Sequence, residues 1–224
     1  SFNIDNIIIH DPDKINGQMV IVTKKSNYSK LDIDRLESPL YIIAKENCFG
    51  KLFRWRDNVK ILNLGSLNVD ITYLVDHVVA PGETIKASRR ERFCGGKGLN
   101  QSIALAKAGA QVYHAGCIGR DGEMLSAMLR NAGVDIRFLE QVDEPSGHAI
   151  IQVDEKGQNS IVIYGGANTC VTTEYIDQVI ANFDCGDVLL LQNEISNIDY
   201  AIQAAARQGM RVALNTSPFD ERLL

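Results

Sequence analysis

Three glycines within four positions, Gly95, Gly96 and Gly98, lead directly into the helical pattern of residues 103–108. Glycine has no Cβ atom, so a ligand can approach the backbone closely here, and the following helix offers free N–H groups to polar or anionic groups. Turns of this kind also occur where a strand simply meets a helix. The cluster therefore predicts a binding loop at the start of a helix, with a purely structural turn as the alternative.

Further residues follow this cluster at defined distances. Asn100 and the small Ser102 come first, Gly109 ends the helical pattern, and Gly119 follows the apolar run 112–118. This order resembles the N-terminal signature of the PfkB sugar-kinase family, which has two glycines, a short gap, asparagine, a small residue and two further glycines.

Two other elements are similar to the ribokinase branch of that family. Asn68-Val69-Asp70 follows the apolar run 61–64, and Gly119-Arg120-Asp121-Gly122 precedes a helical pattern. The resemblance covers about residues 59–224, so we predict a domain boundary near Asn58. Residues 1–58 remain an unassigned N-terminal segment, for which a small accessory domain is one explanation.

The pattern of apolar residues after Lys60 predicts an α/β fold. Apolar runs typical of buried strands alternate with helical patterns, as in an open, mostly parallel sheet flanked by helices, and this is the ribokinase-like architecture that the resemblance implies. The predicted strands are 61–64, 112–118, 188–191 and 212–214, and the predicted helices are 100–108, 123–131, 174–182 and 198–207.

Two pairs of β-rich runs leave this alternation, namely 71–79 with 84–93 and 148–154 with 160–164. Each pair flanks a turn-rich segment, as the strands of a hairpin do. In the resembled family such strands form a small β lid over the sugar, so we expect lid strands at about 71–93 and 147–164. A further hairpin is predicted from two runs in the N-terminal segment, 4–10 and 19–23.

Composition argues against several kinds of partner. The formal net charge of -5 gives no general attraction for nucleic acid or an anionic membrane, and Arg89, Arg90 and Arg92 surround Glu91 as on a solvated strand face. No apolar run approaches the length of a membrane span. The five cysteines lack the close spacing of a zinc or redox pair, which favours a reducing, cytoplasmic environment.

Polar side chains are predicted at the carboxyl ends of buried strands, where open α/β sheets bind ligands. Asn68 and Asp70 follow the first strand of the sheet, and Glu194 follows the strand 188–191. Carboxylates and amides are suited to binding hydroxyl groups in pairs. The resemblance implies sugar contacts for seven residues: Asn68, Asp70, Gly96, Lys97, Gly98, Asn100 and Glu194.

The alternatives without a binding function are an Asx turn at Asn68 and Asp70 and a solvated side chain at Lys97. Only Lys97 is a nearby cation, so the residues favour a free pentose or a nucleoside ribose over a sugar phosphate. The four histidines have neither a triad partner nor metal-ligand spacing, and we assign them no role.

The resemblance implies an ATP-dependent kinase that uses Mg²⁺ to phosphorylate a sugar hydroxyl. In that family the catalytic base is an aspartate in a C-terminal Asp-Thr-x-Gly-Ala-Gly-Asp signature, and no segment after residues 215–218 is similar to it. The base is therefore expected beyond Leu224, and no catalytic residue or metal ligand is assigned. These 224 residues alone are expected to bind sugar weakly without transferring phosphate.

Two expectations concern assembly and function beyond catalysis. The exposed β lid of the resembled family suggests a homodimer formed through the lid. The alternative to a kinase is a non-catalytic sugar-binding or regulatory module, in which residues 1–58 serve as an extra partner domain.

Overall fold

The computed structural model describes residues 6–10, 20–23 and 59–218. The strands are β1 (Asn6–His10), β2 (Val20–Thr23), β3 (Lys60–Leu64), β4 (Asn68–Leu74), β5 (Arg89–Gly95), β6 (Gln111–Ile118), β7 (Asp135–Gln141), β8 (Gly147–Val153), β9 (Asn159–Tyr164), β10 (Val188–Gln192) and β11 (Arg211–Asn215). The helices are α1 (Lys97–Lys107), α2 (Glu123–Asn131), α3 (Thr173–Ile180) and α4 (Ile198–Arg207), with a 3₁₀ helix at Gly166–Cys170.

A seven-stranded sheet forms the centre of the described chain. Its order is β2-β1-β11-β10-β3-β6-β7, and the five strands from β11 to β7 are parallel. β1 and β2 extend the sheet beyond β11 as an antiparallel pair, which is the pairing predicted for the N-terminal runs. The predicted open, mostly parallel α/β fold is therefore confirmed, whereas the domain boundary near residue 58 stays a prediction.

The central strands are buried on both faces because helices cover both sides of the sheet. Along β10, Leu189 and Leu191 belong to one hydrophobic cluster, and Val188 and Leu190 belong to the other. The buried apolar side chains of α3 and α4 join the first cluster, and those of α1 and α2 join the second. A strand with apolar neighbours on both faces needs no polar alternation, which explains the continuous apolar run in the sequence.

A second sheet has the order β5-β4-β8-β9, and we call it the lid sheet. β4 and β8 are parallel, whereas the two outer pairs are antiparallel. Both pairs of β-rich runs that leave the α/β alternation thus lie in one sheet. Several large apolar side chains of this sheet are exposed, and Val162 and Ile163 on β9 are 65% and 61% exposed.

Several boundaries differ from the sequence-based expectation by a few residues, and three of these differences concern the elements around the glycine cluster. α1 begins at Lys97 rather than at residue 100, directly after Gly96. β5 covers Arg89–Gly95 rather than 84–93, because it pairs with β4 over its whole length. β4 begins at Asn68, so Asn68 and Asp70 lie within a lid strand rather than in a turn beyond a parallel strand.

The sequence pattern does not predict β7. This strand lies at the edge of the sheet, and all its residues are half-buried or exposed, so it lacks the continuous apolar run of the central strands. None of the helices in the described part of the chain combines the length and the apolar character that crossing a membrane requires.

Candidate functional site

The glycine cluster packs against the loop that follows β3. Gly96 precedes α1 with a φ of 99°, a conformation that favours glycine. Gly98 lies in the first turn of α1, where a methyl group would approach the backbone nitrogen of Ser66 to 2.5 Å. The N–H of Leu99 donates to the Ser66 carbonyl at 3.0 Å. The cluster therefore has a structural role in close packing, and its role in ligand binding stays a prediction.

Glu194 joins three segments at the start of α1. Its Oε2 accepts a hydrogen bond from Ser66 Oγ at 2.5 Å, and its Oε1 accepts from Lys97 Nζ at 2.6 Å. The Ser66 hydroxyl also accepts from the N–H of Gly98 at 3.2 Å. The Lys97 side chain is only 29% exposed, so it is paired rather than solvated. Sequence reasoning misses Ser66, since a serine after a strand and a glycine is common in turns.

Asp70 faces this region from β4. Its carboxylate lies against the Cα atom of Gly95, where a methyl group would overlap it. Burial, and then the nearby charge of Glu194, raise the pKa of Asp70 above its ordinary value of 3.8. Within residues 59–218 no hydrogen-bond donor reaches its oxygens. Asp70 is thus a half-buried carboxylate that is available to accept hydroxyl hydrogens.

Asn68 lies on the same face of β4 as Asp70, because alternate residues of a strand share a face. Its Oδ1 accepts a hydrogen bond from Nδ2 of Asn168 at 2.8 Å. Asn168 belongs to the 3₁₀ helix and is only 2% exposed. Sequence reasoning gives Asn168 no role, since this contact joins residues 100 positions apart. The sequence feature that could have pointed to it is an asparagine two positions after the pair Gly165-Gly166.

Asn100 completes the first turn of α1, where its N–H donates to the Gly96 carbonyl at 3.1 Å. Its half-buried side chain has no hydrogen-bond partner among residues 59–218. Gly96 also lies next to β4, since a methyl group on it would be 3.1 Å from the backbone nitrogen of Asn68. The predicted residues on β4, on α1 and after β10 thus converge at the start of α1, and their binding role stays a prediction.

A buried hydrogen-bond network supports α1 on its sheet side. Asn63 Nδ2 donates to the Gly98 carbonyl and to Ser102 Oγ, both at 2.8 Å. The Ser102 hydroxyl in turn bonds to His114 Nδ1 at 2.7 Å. Burial lowers the pKa of His114 to about 4, so this ring is neutral at neutral pH and serves the packing of α1.

These geometric features can be compared with known proteins. The sequence pattern of the family described as "pfkB family carbohydrate kinase" matches residues 58–223. The ribokinase of Haemophilus influenzae is 36% identical over 160 residues, which are 69% of this chain and 52% of that protein. The chain spans about half the length of the curated relatives that it matches.

Solved structures lead to the same family. The structure of Arabidopsis thaliana ribokinase complexed with ribose and ATP is 31% identical, with a TM-score of 0.60 over 69% of this chain and 52% of that chain. Ribokinase from Cryptococcus neoformans in complex with ADP is 41% identical, with a TM-score of 0.54 over 62% of this chain and 42% of that chain. The chain therefore belongs to the pfkB family of carbohydrate kinases.

Proposed function

We propose that the protein phosphorylates a hydroxyl of a free pentose such as ribose, or of a nucleoside ribose, with ATP as the phosphoryl donor. In this proposal the described residues bind the sugar. Asp70 accepts hydroxyl hydrogens, and Asn68 and Asn100 supply amide groups. The similarity to ribokinases, one of which has been solved with ribose and ATP, supports this assignment.

The ion pair between Lys97 and Glu194 is the main observation in favour of an uncharged sugar over a sugar phosphate. Lys97 is the cation at the start of α1, and its Nζ lies 2.6 Å from Glu194 Oε1. Together with the neighbouring Asp70, these groups make the site net negative. A sugar phosphate would meet a neutralised lysine and an uncompensated carboxylate, which is unfavourable for a dianion. The site therefore suits an uncharged sugar.

ATP and Mg²⁺ are proposed for the phosphoryl transfer but are not placed on the described residues. Within residues 59–218 no group of three or more His, Cys, Asp or Glu side chains is arranged to hold a metal ion. Lys97 is already paired with Glu194, so it is not an open cation for a triphosphate. We therefore derive no catalytic step from these residues. When bound, Mg²⁺ and ATP would supply the phosphoryl group and neutralise its charge.

Calorimetric titration of the chain with ribose, adenosine and fructose 6-phosphate tests the substrate class. Ribose or adenosine is expected to bind, and fructose 6-phosphate is expected to bind at least about tenfold more weakly because its charge is not compensated. A preference for fructose 6-phosphate would overturn the assignment.

Turnover is tested separately, with the product of a complete reading frame that includes this sequence. Sugar-dependent ADP release is expected at a rate of about 1 per second or faster. Sugar binding without any ADP release would instead identify a non-catalytic sugar-binding module.

A homodimer through the lid sheet is proposed alongside this function. Ile161, Val162 and Ile163 are consecutive on the edge strand β9 and are all exposed. Ile161 and Ile163 share one face of the strand and Val162 lies on the other, so exposed apolar side chains line both faces of this edge, which favours a protein interface. Sedimentation equilibrium is expected to show a dimer that Val162→Lys weakens at least about tenfold, because the substitution buries a charge. Met128→Lys, at an exposed apolar residue of α2, is the matched control, and equal sedimentation of all three proteins would contradict the proposal.

A cytoplasmic location is proposed as well. Among the described residues, Cys94, Cys117, Cys170 and Cys185 are free thiols, as is usual in a reducing compartment.

A further inference from the structure

A chain of hydrogen bonds connects the backbone of Leu67 to the candidate site through two asparagine side chains. It begins at the Leu67 N–H, which can only donate a hydrogen bond. The Leu67 nitrogen lies 2.9 Å from one of the two terminal atoms of the Asn168 amide. The Asn168 atom at this position must therefore be the oxygen Oδ1. The NH₂ group of Asn168 is consequently on the other side, 3.3 Å from the Leu67 carbonyl oxygen, which can only accept. The backbone N–H and C=O of Leu67 thus fix the orientation of the Asn168 amide.

The fixed Asn168 amide then determines the orientation of Asn68. Asn168 Nδ2 lies 2.8 Å from the Asn68 side chain, and a hydrogen bond at this distance requires an oxygen on Asn68. A rotated Asn68 amide would place two NH₂ groups against each other, which costs the hydrogen bond and leaves a buried donor unsatisfied. Gly147 is opposite Asn68 in the lid sheet, and a side chain there would overlap both amide groups.

The remaining amide atom of Asn68 is Nδ2. It meets no acceptor among residues 59–218, and it is not one of the buried atoms that are sealed from solvent. It lies on the face of β4 that carries Asp70. The site therefore places a hydrogen-bond donor on Asn68 beside an acceptor on Asp70.

We propose that Asn168 is a positioning residue that fixes the Asn68 amide so that Asn68 donates to the sugar. The inference rests on the proposed function, since it concerns the same sugar site. The sugar atom that faces Asn68 must then accept a hydrogen bond, whereas the hydroxyl that faces Asp70 donates one. Two adjacent sugar hydroxyls can make both hydrogen bonds, because one can accept from Asn68 while the other donates to Asp70. An analogue without an acceptor at the position facing Asn68 is discriminated against.

The substitution Asn168→Asp tests this inference. Aspartate keeps the size and still accepts from Leu67 N–H, but the second oxygen of its ionised form can only accept, so Asn68 rotates and presents its oxygen to the sugar. Ribose affinity, measured by calorimetry, is expected to fall about 10- to 100-fold. In an Asn68→Ala background, Asn168→Asp is expected to change the affinity less than about twofold. Equal losses in both backgrounds would show that Asn168 acts on the fold rather than through Asn68.

A panel of monodeoxyriboses adds a readout that a purely structural role would not change. The wild-type protein is expected to reject one deoxy analogue by about tenfold or more, because that analogue leaves Asn68 Nδ2 without an acceptor. Asn168→Asp is expected to abolish this discrimination. An unchanged order of affinities across the panel would overturn the inference.

Nuclear magnetic resonance of the wild-type protein decides the question if Asn168→Asp does not fold. A scalar coupling across the hydrogen bond, from the Asn168 side-chain nitrogen to the Asn68 side-chain carbonyl carbon, is expected without any sugar. The inference is overturned if this coupling is absent, or if the coupling instead joins the Asn68 side-chain nitrogen to the Asn168 side-chain carbonyl carbon. Added ribose is then expected to shift the NH₂ signals of Asn68. If ribose shifts no signal of the site although the coupling is present, the proposed function fails while the orientation of Asn68 stands.

Discussion

Replacing Asp70 with asparagine is expected to lower ribose affinity about 100-fold or more while the protein stays folded. Asparagine has the same size, but an NH₂ group replaces one carboxylate oxygen, so a hydroxyl that donates to Asp70 loses its acceptor. Hydrogen bonds to a charged group contribute about 1.5–3 kcal/mol each, and Asp70 has both oxygens open among the described residues. Calorimetric titration with ribose measures the loss.

The raised pKa of Asp70 gives this prediction a pH dependence. Because the pKa is higher in the folded than in the unfolded state, ionised Asp70 costs stability above its folded pKa, and the cost fades as pH falls through that pKa toward 3.8. Ribose binding has the opposite dependence, since it needs the ionised Asp70 carboxylate. Ribose affinity therefore falls as the pH is lowered through the folded-state pKa of Asp70. Asp70→Asn is expected to lose both dependences and to have a higher free energy of unfolding at neutral pH.

Asp143→Asn is the matched control for this charge change. The Asp143 side chain is 93% exposed, and its one ion-pair partner among the described residues is the exposed Arg120, so its loss should leave ribose affinity unchanged. If Asp70→Asn binds ribose as tightly as the wild-type protein does, Asp70 is not a sugar ligand. If it unfolds more easily than the wild-type protein at neutral pH, the burial argument is wrong.

The central part of the fold was predictable because its signals are local. The continuous apolar run of β10 follows directly from burial on both faces, and the structure has this strand at Val188–Gln192. β7 shows where such signals end. Its Arg137 and Glu140 interrupt the apolar pattern, because an edge strand needs only one neighbour and leaves side chains in solvent. The bounds of β5 were missed for another reason, since its register depends on pairing with β4.

The candidate site was predictable only in part, and the missing residues have a common physical cause. Asp70 and Glu194 are polar residues close behind buried strands, which the chain order alone reveals. Ser66 and Asn168 act through contacts with residues far away in sequence. Ser66 bonds to Glu194 across 128 positions, and Asn168 bonds to Asn68 across 100. A single sequence shows the presence of such residues but not their partners.

Gly98→Ala is expected to destabilise the protein by about 3 kcal/mol or more and to abolish ribose binding. The added methyl group would be 2.5 Å from Ser66 N and 2.6 Å from the Gly65 carbonyl carbon, and both are backbone atoms that cannot rotate away. Relief requires the first turn of α1 to move from the loop after β3. That movement breaks the hydrogen bond from Leu99 N to Ser66 O and displaces Lys97 from Glu194. Urea unfolding and calorimetric titration measure the two effects.

Gly157→Ala provides the matched control, because it adds the same methyl group where nothing lies within 4 Å. Its φ of 76° adds backbone strain of about 1 kcal/mol, but this glycine lies in the turn between β8 and β9 rather than under a helix. The difference between the two variants therefore isolates the close approach of α1 to the Gly65–Ser66 backbone from the general cost of replacing a glycine. If Gly98→Ala is no less stable than Gly157→Ala and still binds ribose, α1 can move without disturbing the site. The contact between the glycine cluster and the loop after β3 would then not be what holds Lys97 and Glu194 together.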